Sequence, residues 1–106
     1  MNVYTTRPIK IITNIELNEL LKNLKITLSS HALDHLSIGQ RKLFKEQELT
    51  NVILRETPRK IFLQENHRYA VYYRKRKEYL KIIIEIEPIK AVIISFMNLP
   101  TIPRIK

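Results

Sequence analysis

The stretch EYLKIIIEIE, residues 78–87, sets Leu80, Ile82, Ile84 and Ile86 at alternate positions, with Tyr79, Lys81, Ile83 and Glu85 between them. A period of two is the repeat of a strand with one face in a core and the other turned away from it. Working outward, RYAVYYR at 68–74 alternates Tyr69, Val71 and Tyr73 with Arg68, Ala70, Tyr72 and Arg74, and 59–65 and 89–97 read as two further strands. The links between these runs are short: Asn66-His67, a basic turn around Lys75–Lys77, and Pro88. Short links join antiparallel neighbours, so the sequence predicts a four-stranded antiparallel meander after Pro58.

Upstream of Pro58 the pattern is helical. Thr13 and Glu16 have capping-box spacing, with Ile12 and Leu17 in staple positions. Leu17, Leu20, Leu21 and Leu24 then form one apolar stripe, suited to a core face or to a homodimer through the Leu17–Leu24 helix. Residues 25–29 read as extended and lead into Ser29-Ser30, an N-cap pair for a second helix starting near His31. Ser37-Ile38-Gly39-Gln40 can interrupt that helix. A further helix fits 46–56 and ends at Thr57-Pro58, because the residue before proline is pushed out of the helical region. The expected fold is therefore α+β: two or three N-terminal helices packed on one face of a four-stranded antiparallel sheet. A single domain spans 1–106, helical over about 13–56, sheet over about 59–97, with an irregular basic tail at 98–106.

Composition narrows the chemistry. With 106 residues the chain closes one core. Cysteine is absent, which excludes disulfides, thiolate metal sites and a cysteine nucleophile, and Gly39 is the only glycine, which excludes a glycine-rich nucleotide loop. No stretch reads as a signal peptide or a membrane span, so the expected location is the cytoplasm. The net charge is +9, and it is uneven: residues 1–53 carry net +2 and residues 54–106 carry net +7. A small domain this basic most often meets a polyanion, usually nucleic acid.

Two constellations carry candidate chemistry. If Tyr69, Val71 and Tyr73 face the core, then Arg68, Tyr72 and Arg74 stand on the open sheet face, joined by Tyr79 and Lys81. Basic groups hold phosphates, and an exposed aromatic ring stacks on an unpaired base. Arg55, Arg59, Lys60 and the Arg74–Lys77 cluster, with Arg76 at its centre, extend the track. The same residues would also make an ordinary solvated face that resists edge aggregation. The second constellation is Ser29-Ser30-His31-Ala32-Leu33-Asp34-His35, where His31 and His35 fall one helical turn apart beside Asp34. That spacing can chelate a metal, with His67 as a third ligand, but neither an H-E-x-x-H motif nor a cysteine accompanies it, and no metal or other cofactor is assigned. Without a metal, an imidazole near neutral pH can take a proton from a ribose 2′-OH or give one to a leaving 5′-oxygen. Ser95 has no nucleophile-elbow glycines, so a serine hydrolase is not supported.

The segment ITLSSHALDHL…RKLFKEQELTNVILRETPRKIF, with YAVYYRKRKEYLKIIIEI and KAVIISFM after it, resembles domain-of-unknown-function family 4258 over roughly residues 26–97. That family is grouped with the RelE-like, barnase–EndoU–colicin-like small ribonuclease toxins. Its pattern is an extended segment, a His-Ala opening a helix, an acidic-Arg-apolar triplet, a further Arg, a second helix and a closing sheet. His31-Ala32 matches the opening pair, Asp34 and Leu36 the triplet, Arg41 the later arginine, and 49–54 the second helix. His35 departs from it, standing where the family has arginine, and the stretch from Leu36 to Leu43 is slightly long. The resemblance implies a toxin-like, metal-independent endoribonuclease that directs a 2′-OH onto the adjacent phosphate. It makes His31, His35 and Arg41 the candidate catalytic residues, and it implies a cognate antitoxin over the basic surface. That ribonuclease is the leading expectation; the runner-up is a non-catalytic nucleic-acid-binding module on the open sheet face, with Arg59, Arg68, Tyr72, Arg74, Arg76 and Lys81 on RNA, and the third is a protein-interaction and dimerisation module.

Overall fold

Leu80, Ile82 and Ile84 are fully buried on one side of a single long strand, and the rest of the sheet is assembled around it. The computed structural model describes residues 6–38 and 46–103. In chain order these form β1 (Pro8–Ile11), α1 (Asn14–Leu21), β2 (Lys25–Leu28), α2 (Ser30–Ile38), α3 (Glu46–Arg55), β3 (Lys60–Gln64), β4 (Tyr69–Lys75), β5 (Glu78–Ile86) and β6 (Lys90–Leu99). One sheet contains all six strands in the order β1-β3-β4-β5-β6-β2.

The run β3 to β6 pairs antiparallel strand by strand. The expected four-stranded antiparallel sheet is nevertheless corrected, because two more strands extend it at both edges and make it mixed. β1 adds antiparallel to β3, and β2 adds parallel to β6. The expected order of helices first and sheet second is corrected with it, since β1 and β2 are interleaved with three short helices. The reason is physical. β1 and β2 are four residues each, too short to show a period, and a parallel partner is reached only through a long crossover. That crossover contains α2 and α3, so no short link in the sequence announces it.

Local chemistry sets the joints. At the start of α1 the Thr13 hydroxyl accepts from the Glu16 backbone N–H at 3.1 Å, and the Thr13 backbone N–H donates to Glu16 Oε1 at 3.3 Å, completing the capping box. After α1, Lys22 and Asn23 make a tight turn. Asn23 has φ 64°, and the Leu24 N–H bonds the Leu21 carbonyl at 3.0 Å. Ser29 Oγ does two jobs: it accepts from the Ala32 N–H at 3.1 Å as the cap of α2, and it donates to the Ile94 carbonyl at 3.0 Å. Ile94 is the residue that a bulge leaves without a partner opposite β5, so the serine satisfies a carbonyl the ladder has released.

The helices and one sheet face share one core. Leu17 from α1, Ala32 from α2, and Leu49, Val52 and Ile53 from α3 meet Ile61, Val71, Tyr73, Leu80, Ile82, Ile84 and Ile93. Full burial of each valine, leucine or isoleucine side chain among them stabilises the fold by about 1.5–3 kcal/mol. Leu21 and Leu24 pack against the same cluster, so these two and Leu17 of the leucine stripe contribute to the chain's own core. The radius of gyration, 13.2 Å, is that of one packed domain of this length. Among the described residues, no helix is long and apolar enough to cross a membrane.

Candidate nucleic-acid interface

Residues facing each other across neighbouring strands share a sheet face, so the strand register lays out the helix-free side. Lys60, Tyr72, Lys81 and Met97 form one row across β3, β4, β5 and β6. Arg74, Tyr79 and Leu99 form the next row toward the β4–β5 turn. Phe62, Ala70, Ile83 and Ser95 form the row on the other side.

Two cations of this face lie against its aromatic rings. Lys81 Nζ is 5.8 Å from the centre of the Tyr72 ring, and the Arg74 guanidinium carbon is 5.0 Å from that of Tyr79. Burial pushes the Lys81 ammonium below the usual lysine range and the Tyr72 hydroxyl above the usual tyrosine range. Glu85 is the one acid that the strands β3 to β6 place on this side, and Arg68 Nε donates to its Oε1 at 3.0 Å. Arg76 and Lys77 form the two-residue turn between Lys75 and Glu78, both exposed, and Arg76 adopts φ 46°. A long side chain in the left-handed region is strained, and strain of this kind concentrates at binding loops.

The candidate residues are distributed as follows. Lys81, Arg68 and Arg74 stand on the helix-free face, and Arg76 at its end. Tyr72 stands there too, but its expected exposure is corrected: it is only 1% exposed. Its ring packs edge-on against Phe62 at 5.8 Å, in a small apolar cluster with Ala70 that Tyr79, Ile83, Leu99 and Ile102 border. Arg59 lies to one side, in a cleft of about 240 Å³ with Ile11, Ile12, Thr13, Asn14, Lys60 and Ile61. His31 opens α2, which packs on the opposite side of the sheet through Ala32, so His31 and the cations of the helix-free face are not brought together. The side chain of His35 and the whole of Arg41 lie outside the described residues. Among the described residues, no three His, Asp or Glu side chains gather into a metal-binding group.

The chain matches no family model, no curated protein and no solved structure.

Three participants were not picked out in the sequence: Phe62 and Ile102 in the second apolar cluster, and Glu85 as the partner of Arg68. Phe62 was visible only through register, since it faces Ala70 across the β3–β4 ladder. Ile102 had a signal, an isoleucine held between Pro100 and Pro103 in the basic tail.

Proposed function

We propose that this chain binds RNA through the helix-free face of its sheet. The observation that carries this reading is the row in which Tyr72 lies between Lys60 and Lys81, with Arg74 over Tyr79 beside it. Positive side chains along one face suit a phosphodiester backbone, and the ring with surface to offer an unpaired base is the half-buried Tyr79, Tyr72 lying beneath its neighbours. The strained basic turn at Arg76–Lys77 prolongs the same track, and the net +7 of residues 54–106 supplies long-range attraction. The test is a titration of labelled RNA at several salt concentrations. The affinity should fall with salt, with a log–log slope of about −0.7 for each phosphate engaged on a single strand. A flat salt response, or no association, overturns the reading.

A second reading, cleavage of RNA engaged at α2 on the other side of the sheet and not on the helix-free face, is favoured by the element order over residues 25–99: a strand, a helix with His31-Ala32 in its first turn, a second helix and a closing sheet. It follows the pattern of the ribonuclease-toxin resemblance. Here His31 acts as the proton-transfer group for attack of a 2′-OH on its own 3′-phosphate, which releases a 5′-hydroxyl and leaves a cyclic phosphate. Mapping the ends of RNA incubated with the protein, alone and with ribosomes, decides between binding and cleavage.

A further inference from the structure

Phe62 and Tyr72 are each 1% exposed on a face that carries no helix in their cluster. Strand residues border them laterally, whereas Ile102 reaches them from beyond the end of β6. β6 ends at Leu99, opposite Tyr79 on β5, and Pro100 then takes the chain out of the ladder. Between Leu99 and Ile102 the tail passes from β6 over β5 to the Phe62–Ala70–Tyr72 cluster on β3 and β4. Two strand spacings are about 10 Å, which three extended residues just span. Among the described residues, no hydrogen bond joins Pro100–Pro103 to the sheet, so the segment is held by the apolar contact of a half-buried isoleucine. The covered spot is also where the cations converge: Lys81 lies over Tyr72, with Lys60 on its other flank and Arg74 in the adjacent row.

We propose that the tail is an exchangeable cover, and that unpaired RNA bases displace Ile102 to stack on the Tyr72–Phe62 floor while Lys60, Lys81 and Arg74 take the neighbouring phosphates. This rests on the RNA reading and narrows it to single strands. A duplex keeps its bases stacked and offers only phosphates, which the cations meet with the cover in place. Once Ile102 lifts, Lys81 regains solvent and a phosphate partner, both of which favour its charged form.

The test uses the full chain and three probes: a short uridine oligonucleotide, a blunt RNA duplex, and inorganic polyphosphate, which has charge without bases. Ile102→Ala should bind the oligonucleotide about fivefold to tenfold more tightly than the wild type, with the duplex and polyphosphate unchanged. Ile102→Val, which retains most of the side chain and the fold, should gain about twofold. Because the chain has no cysteine, Ile102→Cys accepts a single nitroxide label, whose mobility should rise on saturation with the oligonucleotide and not with polyphosphate. Equal gains for all three probes, no gain for the oligonucleotide, or a label that stays immobile at saturation overturns the cover while leaving RNA binding standing. A wild-type chain that binds none of the probes overturns both.

Discussion

Tyr72 and Tyr73 are consecutive residues, each 1% exposed, and they stand on opposite faces of the sheet. Tyr73 belongs to the core under the helices, and Tyr72 to the small cluster bordered by Leu99 and Ile102. β4 is thus buried on both sides over Ala70–Tyr73, although no helix among the described residues packs on one of its faces. The two rings make different demands. The hydroxyl of Tyr73 has no hydrogen-bond partner among the described residues, whereas the ring of Tyr72 is matched by Phe62 and Lys81.

Tyr73→Phe should therefore keep or raise stability at neutral pH, by up to about 1 kcal/mol, since it removes a buried hydroxyl that bonds none of the described residues. Burial, and then the negative charge of Glu56, pushes the Tyr73 hydroxyl well above its ordinary value. Below pH of about 10 both folded and unfolded chains keep this proton. Above it the unfolded chain loses the proton and the folded chain does not, so stability falls as pH rises. Urea melts from neutral to alkaline pH should show that fall in the wild type and a shallower one in Tyr73→Phe. Part of the slope persists through Tyr72, which burial also raises.

Lys81→Met should trade function against stability. Burial lowers the Lys81 ammonium, so holding it charged costs the folded state, and an apolar chain of similar length removes that cost. A higher melting temperature is expected, together with weaker RNA association and a salt slope shallower by about 0.7. An unchanged slope would place Lys81 outside the interface.

Glu85→Gln should strengthen RNA association by about twofold to fivefold, because the carboxylate that holds Arg68 at 3.0 Å loses its charge. Both side chains are more than a third exposed, so stability should move by less than about 1 kcal/mol. Direct titration of RNA into both proteins, checked by thermal melts, measures the two effects.

His31→Ala should leave RNA association and its salt dependence unchanged, since His31 opens a helix on the other side of the sheet. Under the cleavage reading, the same substitution lowers the cutting rate by about 10²–10⁴-fold. Binding and end-mapping on one preparation separate these outcomes.

Thr13→Ala should cost about 1 kcal/mol, read by denaturant melts, through loss of the capping box that starts α1 and positions Leu17 in the core.

What the sequence disclosed follows from the range of the signals. Alternation in 78–87 reports burial residue by residue, which is why Leu80, Ile82 and Ile84 could be read directly and are fully buried. The capping pairs Thr13–Glu16 and Ser29–Ala32 act over three residues and were equally legible. The extended course of residues 25–29 was legible too, but β1 was not, and neither was the pairing of Lys25–Leu28 with Lys90–Ile93, which depends on residues far away in the chain. The side on which Tyr72 stands was legible from period. Its burial was not, because that depends on where a non-periodic tail comes to rest.

The bond from Ser29 to Ile94 joins residues 65 positions apart, and β2 has its strand partner only in β6. Seen in the order of synthesis, the segment from β2 through α2 leaves the ribosome long before the strand that receives it. Until Ile93 and Ile94 are made, Ser29 has no carbonyl to hold and the apolar underside of α2 at Ala32 has no sheet to cover it. Parallel pairing of this range forms late, so incomplete or stalled chains should be the aggregation-prone species. Translation speed through codons 60–94 then becomes a determinant of yield, and pauses introduced in that stretch should lower the amount of folded chain.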